Sequence, residues 1–267
     1  EQYERYPPER KVPVQHHLQE FVVVLTKGML SDQLTYVGLA RKLLTIGDLK
    51  QIRNQRIGRG KIGGKAAGMM LAWKIIQRRG MEIAPELASR ISIPESFFVA
   101  ADVFYDFQAL NNLIPHMNQK YKSLEEVRTD YPKLRQTYLS GRFPSDVEAR
   151  LRELLVQVGH APIIVRSSSL LEDNFGFSFA GKYDTYFLPN QGTREENLAA
   201  LMRAIAAVYA SVISPDAIAY RQRMGLLDYD ERMAVLIQRV VGAHHKELYF
   251  PALAGVAFSH NPFRWNA

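Results

Sequence analysis

Apolar and polar positions follow two periods along this chain, one helical and one alternating, and the switches between them mark its elements. Residues 1–15 mix charge, proline and tyrosine without an apolar period and read as an extended arm. Leu34, Val37, Leu43 and Leu44 recur at helical spacing, which predicts a helix over residues 31–44 with Ser31 or Asp32 as N-cap. Gly47 interrupts, and residues 48–56 read as a second short helix. A flexible glycine-rich loop, residues 58–65, feeds residues 66–79, whose Ala, Met, Leu, Trp and Ile content is strongly helical, with Gly80 as the stop.

Residues 91–99 alternate around Pro94 and predict a strand or strand pair. Val103, Phe107 and Leu110, then Val147, Leu151, Leu154 and Leu155, give residues 102–159 a helical period, read as a small helical subdomain inserted between strands. Ile163, Ile164 and Val165 form a short buried strand ending at Arg166, and residues 181–188 form another through Tyr183, Thr185 and Phe187. Residues 195–212 are a long amphipathic helix, and residues 233–241 and 255–259 are β-rich. Strands and helices mix without regular βαβ alternation, so the expected class is α+β, with a first part over 1–55 and a main domain over 56–267.

Composition narrows the function classes. The 267 residues suffice for a sizeable core, and 47% hydrophobic with 23% charged residues is ordinary for a soluble globular protein. The most apolar runs, residues 21–25 and 235–237, fall far short of the roughly 20 residues of a bilayer crossing, so no membrane is expected. The absence of cysteine excludes a disulfide scaffold and thiolate metal sites, leaving the cytoplasm as the default location. Paired His16–His17 and His244–His245 lack a third ligand at metal spacing. A net charge of +7 suits an anionic partner, either nucleic acid or a polyphosphate, or is an ordinary basic surface. The one local concentration is Arg53, Arg56, Arg59, Lys61 and Lys65; helix-turn-helix, RNP and zinc-finger signatures are absent.

Two elements carry candidate chemistry. Gly60, Gly63 and Gly64 let a backbone approach a ligand closely, the first amides of the following helix point outward unpaired, and Lys65 adds a full charge, which together suit a phosphate. The spacing is not that of a Walker A loop, and a plain linker is the alternative. Arg166 at a strand end, followed by Ser167, Ser168 and Ser169, offers a planar donor fork and hydroxyls for phosphate oxygens. Its alternative is a serine N-cap with Arg166 neutralising Glu172 or Asp173.

The order of the motifs brings in a resemblance. Gly63, Gly64 and Lys65, the run Ile93 through Val99, Val165 through Ser168, Glu172 with Asp173, Phe179 through Gly181 with Thr185, Gln238 through Val241, and Gly255 through Ser259 follow one another along the chain. From about residue 60 onward it resembles the nucleotide-binding domain shared by phosphoenolpyruvate synthase, pyruvate phosphate dikinase, rifampicin phosphotransferase and glucan water dikinase. The resemblance implies an ATP-grasp fold over 56–267 and ATP as ligand. Lys65 and Arg166 are then the catalytic pair on the triphosphate, cradled by Gly63, Gly64, Ser167 and Ser168. Gly181 and Thr185 fall in the loop that closes over the phosphates, and Gln238 with the backbone of Val240 and Val241 meets the adenine. Relatives pass phosphoryl, with Mg²⁺ bridging, to a histidine on another domain of the same protein, which hands it to a separate acceptor. The metal carboxylate lies downstream in the family, so the Mg²⁺ ligands are expected beyond Ala267, and residues 1–267 alone are expected to be inactive. Ser169, Leu170, Leu171, Lys61 and the run His244, His245, Lys246 depart from the family pattern. Two other functions stay open: a catalytically silent nucleotide sensor or scaffold of the same fold, and a basic nucleic-acid-binding protein.

Overall fold

A computed structural model describes residues 15–171 and 181–256. The first helix among the described residues, α1 (Gln15–Met29), runs through the β-branched residues Val22, Val23 and Val24. Its contacts with the next two helices, α2 (Leu34–Leu43) and α3 (Ile46–Asn54), override the weak local helix propensity. Neither Ser31 nor Asp32 caps α2. Gln33 stands at that position without a side-chain bond, while the Ser31 hydroxyl accepts from the Gln33 amide at 3.2 Å. Helix α3 begins ahead of residue 48 because Thr45 and Asp48 form a reciprocal capping box.

Helix α4 (Gly64–Ile75) does not stop at Gly80. With φ of −62°, Gly80 stays helical, inside a π-turn (Ile76–Gly80) that leads into Met81–Ile83. Helices α5 (Ala101–Leu110), α6 (Leu124–Leu139) and α7 (Ser145–Val158) cover the 102–159 region, with a 3-10 helix at Ile114–Tyr121. Then come α8 (Arg194–Ser211) and α9 (Pro215–Arg223). By length and composition the run Arg194–Arg223 is apolar enough to cross a bilayer, but 67% of its apolar window is buried inside the fold. Helix α8 is amphipathic only at first. From Ala204 to Ser211 every residue is buried, which marks a central core helix.

Among the described residues five strands form one mixed sheet in the order β1-β2-β5-β3-β4. They are β1 (Arg56–Ile57), β2 (Ser96–Val99), β3 (Ile163–Ser169), β4 (Thr185–Leu188) and β5 (Met233–Arg239). Only β1 and β2 are parallel. Strand β3 continues three residues past Arg166 because β5 pairs with it all the way to Ser169. Gly181 and Tyr183 precede β4 in a turn, with Gly181 at φ of 69°, so they are not part of the strand. Gly255 and Val256 are not in a strand, and residues 257–259, the arm over 1–14, and Glu172, Asp173, Phe179 and Ala180 lie outside the described residues.

Alternation along the strands sends side chains to two cores. Ile163, Val165, Val235, Ile237, Phe97 and Val99 join Phe104, Phe107, Tyr138, Leu151, Ile205 and Tyr209 in the larger one. Helices from residues 102–159 therefore share a core with the sheet. On the opposite face Phe98 and Leu236 meet Ile62, Ala66, Ala67, Met70 and Leu71, and the outer layer is α1 to α3 through Val22, Leu30, Ala40, Leu49 and Ile52. The fold is α+β with helices on both faces of a mixed sheet.

Candidate functional site

The glycine-rich loop is held along its length. The Asp102 carboxylate, in the first turn of α5, accepts from the amides of Arg59 at 2.7 Å and Gly60 at 2.8 Å. Arg56 donates to the Gly60 carbonyl at 2.9 Å, and the Ala101 amide donates to the Lys61 carbonyl at 3.0 Å. Burial pulls the Arg56 guanidinium below its ordinary range, and the neighbouring Asp102 charge opposes that. Ile62 is fully buried in the second core, with its amide donating to the Met29 carbonyl at 2.9 Å. These bonds tie the loop expected over residues 58–65 to its surroundings at Arg59, Gly60, Lys61 and Ile62.

The loop ends against β3. Gly63 sits at φ of 84° and ψ of 166°, a region essentially closed to side chains, and a Cβ there would fall 1.4 Å from the Ser168 carbonyl oxygen. Gly63 also stands at the α4 N-cap, where it has no side chain to offer. Ser168 supplies the missing cap from the neighbouring strand: its hydroxyl accepts from the Ala66 amide at 3.0 Å and donates to the Ile62 carbonyl at 2.9 Å. Lys65 Nζ donates to the Ser167 carbonyl at 2.8 Å and to its hydroxyl at 3.2 Å. The two elements separated by a hundred residues in sequence thus form one unit.

Register places the other candidates. Arg166 is paired with Thr185 on one side and Leu236 on the other, so the three share a face, and Gln238 lies in the next row, opposite Ile164 and Ser96. The Gln238 side chain is buried. Its amide nitrogen donates to Ser96 Oγ at 3.0 Å and Met69 Sδ at 3.2 Å, and its oxygen accepts from Arg166 Nη1 at 3.4 Å. At the β2–β5 end α4 covers this face; at the β4 end Thr185 and Phe187 are exposed and the face is open. The result is a step: a sheet floor carrying Arg166, flanked by the start of a helix with its glycines and Lys65. Gly181 lies on the exposed turn before β4.

Past β5, the Val240 amide donates to the Pro162 carbonyl at 2.8 Å, its carbonyl accepts from the Tyr249 hydroxyl at 3.3 Å, and Val241 is exposed. The departure residues His244, His245 and Lys246 build an exposed hairpin of β6 (Ala243–His245) and β7 (Leu248–Phe250), in which the His245 ring stacks on Phe250 and His244 packs edge-on to Tyr249. Among the described residues no group of three or more His, Asp or Glu is placed to hold a metal ion. The basic concentration is largely turned inward: Arg56, Lys61 and Lys65 each bond within the loop's surroundings, while Arg53 and Arg59 stay exposed.

Sequence reasoning missed Asp102, Tyr36 and Asp32. Asp102 reads as an ordinary first-turn acid, and its loop partners are more than forty residues away. Tyr36 donates to the Ala67 carbonyl at 2.9 Å, and Asp32 pairs with Lys61 at 2.9 Å, which holds the Asp32 carboxyl below its usual range.

Residues 59–266 match the family model described as pyruvate phosphate dikinase, AMP/ATP-binding domain. The chain is 29% identical over 185 residues to the rifampicin phosphotransferase of Streptomyces sviceus, covering 66% of this chain and 19% of that protein. It is 30% identical over 208 residues to the phosphoenolpyruvate synthase of Escherichia coli, covering 74% of this chain and 24% of the relative. The phosphoenolpyruvate synthase of Aquifex aeolicus is 31% identical over 165 residues, 57% of this chain and 18% of the relative. The matched stretches span about a fifth of the length of these relatives. With the family model covering more than three quarters of its length, this chain belongs to the family of the pyruvate phosphate dikinase AMP/ATP-binding domain.

Proposed function

We propose that this chain is the nucleotide-binding part of an ATP-dependent phosphotransferase with an ATP-grasp-type site. The triphosphate lies at the step between the start of α4 and the β3 floor, and the phosphoryl group passes to a histidine on another domain of the same protein. The observation that carries this reading is the docking of the glycine loop on β3, where Ser168 caps α4 and Lys65 reaches Ser167 beside Arg166. Helix-start amides, one lysine and one arginine together offer the positive field that a polyphosphate requires.

Each residue has a task in this reading. Gly63 and Gly64 let the phosphates approach the backbone, and Lys65 and Arg166 neutralise charge that develops during transfer. Ser167 and Ser168 hold the floor in register with the helix. Gly181 and Thr185 border the phosphate side from the β4 end, while Gln238, Val240 and Val241 border the adenine. Mg²⁺ would supply charge neutralisation to the triphosphate, but no carboxylate cluster among the described residues fits it. A cytoplasmic setting, where ATP is plentiful, goes with this reading.

Titration calorimetry of the chain and its Arg166→Ala variant with ATP and with adenosine tests it. Loss of a charge-assisted phosphate contact worth about 1.5–3 kcal/mol weakens ATP roughly ten- to a hundredfold and leaves adenosine unaffected. Equal losses for both ligands would assign Arg166 a purely structural role.

A further inference from the structure

The family match begins at residue 59, yet the glycine loop leans on residues that precede it. Three contacts reach across. The Met29 carbonyl at the end of α1 accepts from the Ile62 amide, between Lys61 and Gly63. Asp32, in the turn after α1, pairs with Lys61. Tyr36, in the first turn of α2, donates its hydroxyl to the carbonyl of Ala67, in the first turn of α4. Beneath them Ile62, Ala66 and Ala67 are almost wholly buried against a core to which Val22, Met29, Leu30, Ala40, Leu49 and Ile52 all contribute. Farther along α4 a second tie repeats the arrangement, with Lys74 paired to Asp48 at 2.7 Å.

We propose that the helical layer α1 to α3 is the outer clamp of the phosphate loop, and that Tyr36 is a positioning residue that fixes the start of α4 against β3. The loop has two walls. Ser168 grips it from the sheet side, and the Met29 carbonyl and Tyr36 hydroxyl grip it from the opposite side, so Gly63 to Lys65 keep one pose before any ligand arrives. The contacts differ in weight. The Asp32 carboxylate is 73% exposed, so its pair with Lys61 is screened by solvent and contributes little. The Tyr36 hydroxyl is part-buried; burial raises it above the ordinary phenol range, so it remains a donor at every pH of interest. Removing it takes away one bond without opening a cavity, which makes Tyr36→Phe a gentle probe. Clamping matters to a phosphate site because amides already in place cost no ordering when the ligand binds.

The clamp itself is tested without nucleotide, and only its effect on affinity rests on the phosphotransferase reading. Hydrogen exchange of the whole chain, followed by mass spectrometry, reads the amides of residues 61–67 in the wild type, in Tyr36→Phe and in Tyr36→Phe with Asp32→Ala. Exchange there is expected to rise about three- to tenfold in Tyr36→Phe, while amides of β5 stay unchanged. Calorimetry on the same proteins is expected to give ATP affinity lowered about three- to tenfold and adenosine affinity unchanged. Unchanged loop exchange in both variants overturns the clamp, as does faster exchange spread equally over β5, which would mark Tyr36 as a general stabiliser. Faster loop exchange in Tyr36→Phe, together with a wild type that binds neither ATP nor adenosine, supports the clamp and refutes the nucleotide reading.

Discussion

Gly63→Ala is the most exacting single change at the site. The added methyl carbon would sit 1.4 Å from the Ser168 carbonyl oxygen. Reaching ordinary van der Waals separation takes a retreat of about 2 Å. That retreat separates Ser168 Oγ from both the Ala66 amide and the Ile62 carbonyl, leaving a wholly buried hydroxyl without partners, at about 1–3 kcal/mol. The backbone angles add about 1–3 kcal/mol more, because alanine cannot rest at this φ and ψ. The sum, about 2–6 kcal/mol, is a large fraction of the roughly 5–15 kcal/mol that holds a typical domain folded. Gly68 supplies the control: it lies exposed within the same helix with nothing within 4 Å of a Cβ, and Gly68→Ala should gain about 0.5–1 kcal/mol. Urea unfolding followed by circular dichroism should move in opposite directions for the two variants, and Gly63→Ala should lose ATP binding as well. A Gly63→Ala protein with wild-type midpoint and affinity would refute the docking of loop on strand.

Two further variants probe the supports. Asp102→Ala frees the amides of Arg59 and Gly60 and should cost about 1–3 kcal/mol in urea unfolding, with Asp102→Asn falling between it and the wild type. Burial raises the Asp48 carboxyl, but Lys74 and Thr45 lower it more, so its folded pKa lies below the ordinary aspartate value. Its contribution is therefore complete above that value and lost as pH falls through the folded pKa; the stability gap between wild type and Asp48→Asn, measured by thermal melts, should shrink below about pH 4.

Much of the architecture was legible because local signals agreed with burial. The apolar runs at Ile163 and Met233 became the paired central strands, and the period of residues 195–212 became α8. Helix α1 was illegible because three consecutive valines favour strand locally, and only the packing of α2 and α3 decides for helix. Gly80 misled because the stop signal presumes a left-handed residue, and here the glycine stays right-handed. At the site, the glycine–lysine and arginine–serine elements could be picked out by residue type. That they meet on one ligand follows only from the resemblance, and the docking through Ser168 could not be read, since an external cap leaves no trace in the sequence around α4. Nor could the carboxylate of Asp102, because local sequence carries no sign of a partner forty residues away.

The 3.4 Å contact between Arg166 and Gln238 has a kinetic meaning. At the outer limit of hydrogen bonding, it is strong enough to stow the guanidinium near the floor and too weak to retain it. An arriving anion would draw Arg166 away at little cost, while Gln238 keeps its place through Ser96 and Met69. If the proposed nucleotide site holds, Arg166 is a parked charge. Its capture of ligand would then be limited by encounter rather than by the breaking of an earlier bond, so association rates should respond to ionic strength far more than to substitutions at Gln238.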